Sequence, residues 1–470
     1  MSKFLLDEIV KSTAGQKISQ VSIEFSGFTA DSRDSEISGK LFIPLVGDNH
    51  DAHDYVEGAV NNGATGVIVH EWRDSWEPLK KKASFIQVKD TLGALQNFSS
   101  FWREKFEVTV IGLTGSNGKT TTKDFLYQIL QKHGECVASQ GSFNNHWGVP
   151  FTLLKINENH KFCIVEMGMN HPGELTSLNE IAKPDIVVVT NVGRAHMGHF
   201  KDIEEIARAK EEIYVSAPKK AKFVFNLDNP WTKKMFMDHQ GRELYAYSTK
   251  DFSADVYFKI KRTLAKGYEI EGQINGFLGK AQVSFWGEQN IENLSAAVCL
   301  ASVAGMGPNS IWKSLEDCHT GWGRNQWLET ESCGEILFDG YNANPDSFKA
   351  LLSNLKTTFD SYKHKVGVLG EMLELGEKSA EEHENLGKLA GALDWSEMIF
   401  VGDSGESFKR GWELSKNPKK LIILNTYKES LDIDLASVVH DGTLTVIKGS
   451  RGGALERVVE RLSPKRFTQK

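Results

Sequence analysis

Apolar residues form short, nearly continuous runs in the middle of the chain, at 108–113, 162–165 and 185–189. Such runs are typical of parallel strands that helices cover on both faces. Between the runs, apolar residues recur at helical spacing, as they do in the segment 121–133. This alternation of strand and helix patterns predicts an α/β fold built on a parallel sheet.

The alternation continues on both sides of this central part. Residues 1–107 alternate short strand patterns with helical ones, and residues 252–286 show the period-two pattern of an antiparallel edge. A second doubly wound unit is predicted from residue 321 onward. Its strands are predicted at 336–339, 365–369, 398–401, 421–424 and 444–447.

Composition narrows the classes of function. The 470 residues carry a net charge of −7, which argues against nucleic-acid binding because that function needs a basic face. No stretch approaches the roughly 18 apolar residues of a membrane span. The apolar block at the start of the chain is too short for a signal peptide. The five cysteines are scattered, without a C-x-x-C pair. We therefore expect a cytoplasmic protein without a membrane or nucleic-acid partner.

The run at 108–113 leads into a glycine-rich turn and then into a helical pattern. Glycines let backbone N–H groups converge on a phosphate, and the start of a helix favours negative charge. Lys119 is predicted to reach the outer phosphates, and the Thr120 hydroxyl is predicted to hold Mg²⁺. The strict pattern G-x-x-x-x-G-K-[ST] is not met, because Leu113 stands at its first glycine. The predicted phosphate site consists of Thr114, Gly115, Ser116, Asn117, Gly118, Lys119, Thr120 and Thr121.

Two polar residues follow the next central strands. Glu166 comes directly after the run 162–165, and His196 lies in the loop after 185–189. Both belong to the sheet edge at which parallel sheets bind ligands, which makes them candidates for a magnesium or phosphate site. The alternatives are a surface acid at the strand end and an exposed loop histidine.

Lys210 lies on the apolar stripe of the predicted helix 202–214, for which Asp202 is the expected N-cap. A lysine buried on such a face loses basicity, and a neutral amine can add CO₂ to form a carbamate that binds Mg²⁺. On the pattern alone, a lysine that snorkels at the rim of the stripe is the stronger interpretation.

Asparagines mark two further loops. Asn290 and Asn293 open the predicted helix 291–304, where one is a candidate N-cap and the other a polar edge for a ligand. The segment 339–345, DGYNANP, follows the first strand of the last unit, and such loops carry ligands. Asx-Pro sequences are also common in ordinary turns.

Together these residues resemble the Mur ligase family, whose ATP loop has the form TGSNGKT that is found here at 114–120. The resemblance covers essentially the whole chain and implies three α/β domains. These are a UDP-sugar-peptide-binding domain at 1–107, a central ATP-binding domain with a P-loop-type parallel sheet at 108–320, and a C-terminal Rossmann-like ligase domain at 321–470. Members that add D-alanyl-D-alanine are most similar, on the stretches 142–145, 148–150, 166–174, 339–345 and 369–376.

The resemblance also implies roles for individual residues. The implied metal ligands are Thr120, Glu166, His196 and a carbamylated Lys210. The implied catalytic residues are Lys119, Lys210, His196 and Arg324. ATP is further bound by Asn290, Asn293, Arg324 and Asp339. The loop 448–451 faces the active site without an assigned role. Substrate-binding residues are Ser32, Arg33, Asn49, Asn144, Asn145, Asn342 and Asn344.

The implied activity is ATP-dependent joining of D-alanyl-D-alanine to UDP-N-acetylmuramoyl-tripeptide through an acyl phosphate, in peptidoglycan precursor synthesis. We expect a monomer that uses ATP and two Mg²⁺ ions. Gln289, Glu211 and the pair Ala52-His53 depart from the family pattern and leave fine substrate contacts open. Two alternatives are another amide ligase of the same family, and a catalytically silent nucleotide-binding or scaffold protein.

Overall fold

The computed structural model describes residues 3–47, 50–194, 200–264, 266–330, 334–415, 420–425 and 442–462, with the backbone alone at 357 and 359. Within these ranges, the strands form three larger sheets of five, nine and six strands, with helices packed against them. The predicted α/β fold with parallel sheets is confirmed. The described helices are all too short or too polar to cross a lipid bilayer.

The first sheet has the strand order β2-β9-β8-β5-β4, with β2 antiparallel to the rest. Two short pairs, β1 with β3 and β6 with β7, accompany it. Its strands are β1 (Phe4–Leu5), β2 (Gln16–Lys17), β3 (Glu24–Phe25), β4 (Phe28–Thr29), β5 (Leu41–Phe42), β6 (Val46–Gly47), β7 (His50–Asp51), β8 (Gly66–Val69) and β9 (Ser84–Gln87). Its helices are α1 (Leu6–Thr13), α2 (Val56–Asn61) and α3 (Thr91–Arg103).

The central sheet has the order β11-β12-β10-β13-β14-β15-β16-β17-β18, parallel up to β16 and antiparallel from there. Its strands are β10 (Thr109–Thr114), β11 (Glu135–Ala138), β12 (His160–Glu166), β13 (Ile186–Val189), β14 (Lys222–Asn226), β15 (Leu244–Ser248), β16 (Val256–Leu264), β17 (Gly267–Ile274) and β18 (Phe277–Val283). Its helices are α4 (Lys119–Leu130), α5 (Gly148–Leu153), α6 (Glu174–Ala182), α7 (Ile203–Val215), α8 (Pro230–Asp238), α9 (Gln289–Val303) and α10 (Pro308–Ser314).

The last sheet has the order β19-β20-β24-β21-β22-β23, in which only β19 is antiparallel to its neighbour. Its strands are β19 (Gln326–Glu329), β20 (Glu335–Asp339), β21 (His364–Gly370), β22 (Glu397–Val401), β23 (Leu421–Leu424) and β24 (Thr443–Lys448). Its helices are α11 (Pro345–Thr358), α12 (Ser379–Gly391), α13 (Gly405–Glu413) and α14 (Glu456–Arg461). The domain boundaries at 107 and 320 stay predictions.

Strand β10 positions the site. It lies between β12 and β13, so the chain order reverses beside it, and the crevice outside its carboxyl end is where such sheets bind ligands. Neighbouring residues of β10 enter two different cores, since Ile111 packs toward α4 and α9 while Val110 packs toward α6 and α7. Burial on both faces explains the continuous apolar run of this strand.

Two sequence expectations need correction at helix starts. Helix α4 begins at Lys119 rather than at 121, directly after Gly118, because a glycine at positive φ ends the turn there. Helix α9 begins at Gln289 rather than at 291, which places Asn290 inside the helix. The N-cap interpretation of Asn290 and Asn293 is therefore wrong, and the Asn290 amide instead donates to the Trp286 carbonyl at 2.8 Å.

Candidate active site between the second and third sheets

The turn after β10 has the geometry of an anion cradle. Gly115 and Gly118 adopt positive φ angles of 153° and 80°. A Cβ atom would collide with the Thr190 hydroxyl at Gly115 and with the Asn293 amide at Gly118. Helix α4 begins without a side-chain cap, which leaves N–H groups of its first turn for an anion. Glycine is therefore required at both positions, because the backbone has a positive φ angle there and because a neighbouring side chain leaves no room for a Cβ atom.

Lys119, Thr120 and Glu166 meet beside this turn. The Lys119 amine donates to the Gly115 carbonyl at 2.7 Å, and burial lowers its pKa, with nearby Glu166 opposing that shift and Arg324 adding to it. The Thr120 hydroxyl donates to Glu166 Oε2 at 2.8 Å, while the Asn144 amide donates to Oε1 at 2.9 Å. Glu166 is only 1% exposed, so it is not the surface acid of the alternative interpretation. A hydroxyl and a carboxylate are hard oxygen donors, which fits a bound magnesium ion.

Lys210 lies on the buried face of α7, among Ile206, Ile213 and Tyr214. Its side chain is 2% exposed, so the snorkelling interpretation is wrong. Burial and the positive charge of Lys119 lower the pKa of Lys210 well below its ordinary value. Asp202 caps this helix as expected, since its Oδ1 accepts from the Glu205 N–H at 2.8 Å.

The opposite wall comes from the third sheet. The Arg324 guanidinium lies over the Tyr341 ring, 4.1 Å from its centroid. Asp339, at the end of β20, accepts from the Asn325 N–H at 3.1 Å and from the Lys448 amine at 2.6 Å. Lys448 is 1% exposed and also donates to the Asn342 carbonyl at 3.0 Å. These groups give the wall one anionic and two cationic side chains.

The two walls touch across a cavity of about 460 Å³. The Asn344 amide donates to Asn117 Oδ1 at 2.7 Å, and the Ser142 and Tyr341 hydroxyls are hydrogen-bonded to each other. Asp346 Oδ2 accepts from the Arg194 N–H at 2.8 Å. The cavity is therefore enclosed by side chains that lie far apart in the sequence.

Most of the sequence-predicted residues of this region line the cavity. Besides the turn at 116–121, the lining includes Glu166, Asn144, Asn290, Asn293, Arg324, Asp339, Asn342 and Asn344. Asn145 does not line it, because its side chain accepts from the Gly148 N–H at 3.0 Å at the start of α5. His196 lies outside the described residues.

A second cavity, of about 840 Å³, lies between the first sheet and α5. Phe28, Phe143, Trp147 and Phe151 contribute aromatic rings to a largely apolar lining, to which Asp31 and Lys155 add charge. Ser32 and Arg33 do not line this cavity, because Arg33 is exposed and pairs with Asp31 at 3.0 Å instead. Asn49 lies outside the described residues.

The family models match two parts of the chain. The model described as the Mur ligase middle domain matches residues 113–301, and the one described as Mur ligase, glutamate ligase domain, matches residues 323–451. The UDP-N-acetylmuramoyl-tripeptide--D-alanyl-D-alanine ligase of Bacillus subtilis is 31% identical over 458 residues, which are 97% of this chain and 96% of the relative. This chain belongs to the Mur ligase family.

Solved Mur ligases share the arrangement of the three sheets. MurF from Acinetobacter baumannii superimposes with a TM-score of 0.87 at 28% identity, over 98% of this chain and 99% of that chain. MurF from Thermotoga maritima, solved in complex with ADP, superimposes with a TM-score of 0.79 at 27% identity, over 93% of this chain and 96% of that chain. The three-domain Mur ligase fold predicted from the sequence is therefore confirmed.

Sequence reasoning missed several residues that line the cavity of this Mur ligase. The sequence assigns Lys448 no role, although this lysine pairs with Asp339, which lies 109 positions earlier in the chain. Tyr341 and Glu292 were not singled out, and both line the cavity. The segment around Tyr341 was noted for its loop chemistry, but nothing in local spacing distinguished Glu292 from an ordinary charged residue of a helix.

A further group of potential metal ligands lies in the first sheet's layer, at Asp51, His53 and His70. His53 Nδ1 lies 2.7 Å from Asp51 Oδ1, and His53 Nε2 accepts from the His70 N–H at 3.3 Å. Arg73 also contacts Asp51 Oδ2 at 3.4 Å. Since both ring nitrogens of His53 have partners, hydrogen bonding accounts for this cluster.

Proposed function

We propose that this chain is an ATP-dependent ligase that joins D-alanyl-D-alanine to UDP-N-acetylmuramoyl-tripeptide in peptidoglycan precursor synthesis. The observation that carries the proposal is the match along nearly the whole length of relatives that have this activity in their names. The ADP complex of a similarly folded MurF supports the use of ATP. The cavity between the two walls supplies a phosphate cradle on one side and cationic side chains on the other.

Two of the three substrates have a candidate place. ATP fits the cavity of about 460 Å³, with its phosphates at the turn 115–120. The nucleotide-sugar peptide fits the cavity of about 840 Å³, whose aromatic rings suit a base. Gln140 lines the second cavity and Ser142 lines the first, so the segment between them connects the two sites. A peptide held there would direct its terminal carboxylate toward the γ-phosphate.

The first step converts a poor electrophile into a good one. An oxygen of the peptide carboxylate forms a bond to the γ-phosphorus, the bond from that phosphorus to the bridging oxygen breaks, and ADP leaves. Negative charge accumulates on the transferred phosphoryl group, and Lys119 and Arg324 offset it. Thr120 and Glu166, with His196 and Lys210 by family resemblance, would hold magnesium, which supplies further charge neutralisation.

Lys210 is proposed to act as a carbamate. Burial and Lys119 lower the pKa of the amine, which favours its neutral form, and a neutral amine can form an N–C bond to CO₂ with loss of one proton. The product is a carboxylate on a buried lysine, an oxygen donor that suits a hard cation. The bare ammonium would instead add positive charge beside Lys119, which disfavours a metal ion there.

The second step forms the amide. The free amine of D-alanyl-D-alanine attacks the acyl carbon, the C–O bond to phosphate breaks, and the nitrogen loses a proton. Inorganic phosphate is therefore released once for each amide formed. The third sheet's wall closes over the reacting groups, which keeps water from hydrolysing the acyl phosphate.

A substrate panel tests the proposal. Phosphate release is measured with UDP-N-acetylmuramoyl-tripeptides that end in diaminopimelate or lysine, each with D-alanyl-D-alanine or a single amino acid. We expect release only when a tripeptide and D-alanyl-D-alanine are both present. Turnover with single amino acids would assign another amide ligase of the family, and no turnover with any pair would favour a catalytically silent protein.

A further inference from the structure

Glu292 is a carboxyl group in the ATP cavity that the proposed reaction does not use. It lies on the first turns of α9 between Asn290 and Asn293, and it lines the cavity of about 460 Å³. Asn293 lies against Gly118, so this part of α9 is directly beside the phosphate turn. A nucleotide whose phosphates occupy the turn would bring its nucleoside within reach of these residues.

Hydrogen bonds hold one oxygen of Glu292 in place. The Asn226 amide donates to Glu292 Oε1 at 2.6 Å and to the Thr190 carbonyl at 2.8 Å. Asn226 is fully buried, and its own oxygen accepts from the Asp228 N–H at 2.8 Å. Because both amide hydrogens of Asn226 are in use, its side chain cannot turn to serve another group. The carboxyl of Glu292 therefore has a defined orientation.

The second oxygen, Oε2, has no hydrogen-bond partner among the described residues. Glu292 is half-buried and Oε2 is not a fully buried atom, so this oxygen is open to the cavity, where it can accept a hydrogen bond from a ligand. Phosphates cannot serve, since they repel a carboxylate. The nucleoside does carry donors, namely the ribose hydroxyls and the exocyclic amine of adenine.

We propose that Glu292 recognises the nucleoside part of ATP by accepting, through Oε2, a hydrogen bond from a ribose hydroxyl or from the adenine amine. The proposal rests on the proposed use of ATP and adds a residue that selects the nucleotide. Carboxylates commonly hold ribose hydroxyls in other nucleotide sites, which shows that the chemistry is suitable.

The first test measures ADP binding by calorimetry for the wild type, E292Q and E288Q. Glutamine keeps the oxygen that Asn226 needs but presents an amide donor to the cavity, so it cannot accept the ligand's hydrogen bond. We expect Kd to rise about tenfold or more in E292Q, as for a lost hydrogen bond to a charged group. Glu288 is exposed and does not line the cavity, so E288Q should bind like the wild type.

The second test identifies the donor. ADP is compared with 2′-deoxyADP, 3′-deoxyADP and purine riboside diphosphate, which lacks the amine. In the wild type, one analogue should bind about tenfold more weakly than ADP, and E292Q should not distinguish that analogue from ADP. A penalty of the same size in E292Q, for every analogue, would overturn the proposal.

A third test needs only the wild type, and it decides the question if E292Q does not fold. Burial raises the pKa of Glu292 to about 7; the Asn226 hydrogen bond and Lys250 oppose the shift, and Asp228 adds to it. Tyr247 is a further titratable group close to this carboxyl. The ionised carboxylate forms above this pKa, so the penalty for the sensitive analogue should grow as pH rises through about 7.

The pH dependence is followed as the ratio of the Kd of the analogue to the Kd of ADP. Both ligands carry the same diphosphate, so the titration of the phosphates cancels in this ratio. A ratio that does not change with pH in the wild type would contradict the proposal. Failure of the wild type to bind ADP at all would instead contradict the proposed use of ATP, so the two failures are distinguishable.

Discussion

Three lysines near the cavity differ in burial and in surroundings, since Lys210 and Lys448 are buried and Lys119 is half-buried at the phosphate turn. Lys448 pairs with Asp339, Lys119 donates to the Gly115 carbonyl, and Lys210 lies in an apolar core. Burying an unpaired ammonium costs free energy. The carboxylate of Asp339 offsets this cost for Lys448 and a backbone carbonyl offsets part of it for Lys119, while Lys210 lies among apolar side chains. At the residue scale, the candidate chemistry depends on these differences.

Lys119→Ala is expected to abolish phosphate release with all three substrates present. The variant loses the cation beside the transferred phosphoryl group, and the rate should fall by at least roughly a hundredfold. The measurement is coupled phosphate release. Lys220→Ala removes an exposed lysine and is the matched control, which should retain the wild-type rate. Near-normal turnover in Lys119→Ala would refute the proposed phosphate site.

Lys210 is expected to carry a carbamate in the presence of bicarbonate. Isotopically labelled bicarbonate should give one protected carbamate signal by NMR in the wild type, and Lys210→Arg should lack it because a guanidinium does not add CO₂. Activity of the wild type should fall when CO₂ is removed and recover when bicarbonate returns. Full activity of a rigorously CO₂-free enzyme would contradict the carbamate.

At the scale of elements, helix α7 presents Lys210 to the core, and its start is defined by side chains. Asp202 Oδ1 accepts from the Glu205 N–H at 2.8 Å, and Glu205 Oε2 accepts from the Lys201 N–H at 2.7 Å. This reciprocal capping satisfies donors that the helix cannot satisfy by itself. The cap therefore determines which residue is the first of α7, while packing against the central sheet decides how deeply the face with Lys210 is buried.

Asp202→Ala is expected to lower the free energy of unfolding by about 1 kcal/mol, because a helix N-cap is lost. The measurement is urea unfolding, followed through the transition of the central sheet. Asp202→Asn retains an accepting oxygen and should lose much less. Equal losses in the two variants would indicate that charge, and not capping, is responsible.

At the scale of the whole molecule, the cavity exists because the third sheet's first loop meets the central sheet. Three contacts join the two walls of the cavity: Asn344 with Asn117, Tyr341 with Ser142, and Asp346 with the Arg194 N–H. A fourth contact joins α11 to α9, where the Asn354 amide donates to Gln289 Oε1 at 2.8 Å. These polar contacts are modest individually, so ligands can shift the balance between closed and open arrangements.

Tyr341→Phe is expected to lower kcat by roughly twofold to tenfold, because it removes one interdomain hydrogen bond and keeps the ring under Arg324. Ser142→Ala should have a similar effect. The double variant should be no worse than either single one if the two hydroxyls act through each other. Strictly additive losses, measured by phosphate release, would show that the two hydroxyls act independently.

Local pattern was sufficient for most of the fold. The apolar runs at 108–113 and 162–165 predicted β10 and β12, because strands buried on both faces are apolar at every position. Asp202 predicted the start of α7, because a helix cap involves only the neighbouring residues. Strands β11, β15 and β19 are not predicted from the sequence, and neither are the two-residue strands in residues 1–107 other than β5. Each is short, and partner strands stabilise it more than its own composition does.

The sequence by itself determined the phosphate turn, because the conformation of the turn depends on the spacing of its own glycines and on the lysine that follows them. Only the tertiary structure decided that Lys210 is buried rather than at a rim, because the depth of a helix face depends on what packs against it. Likewise, the pairing of Lys448 with Asp339 and the place of Glu292 beside Asn226 follow from sheet order, which joins residues that no local pattern connects.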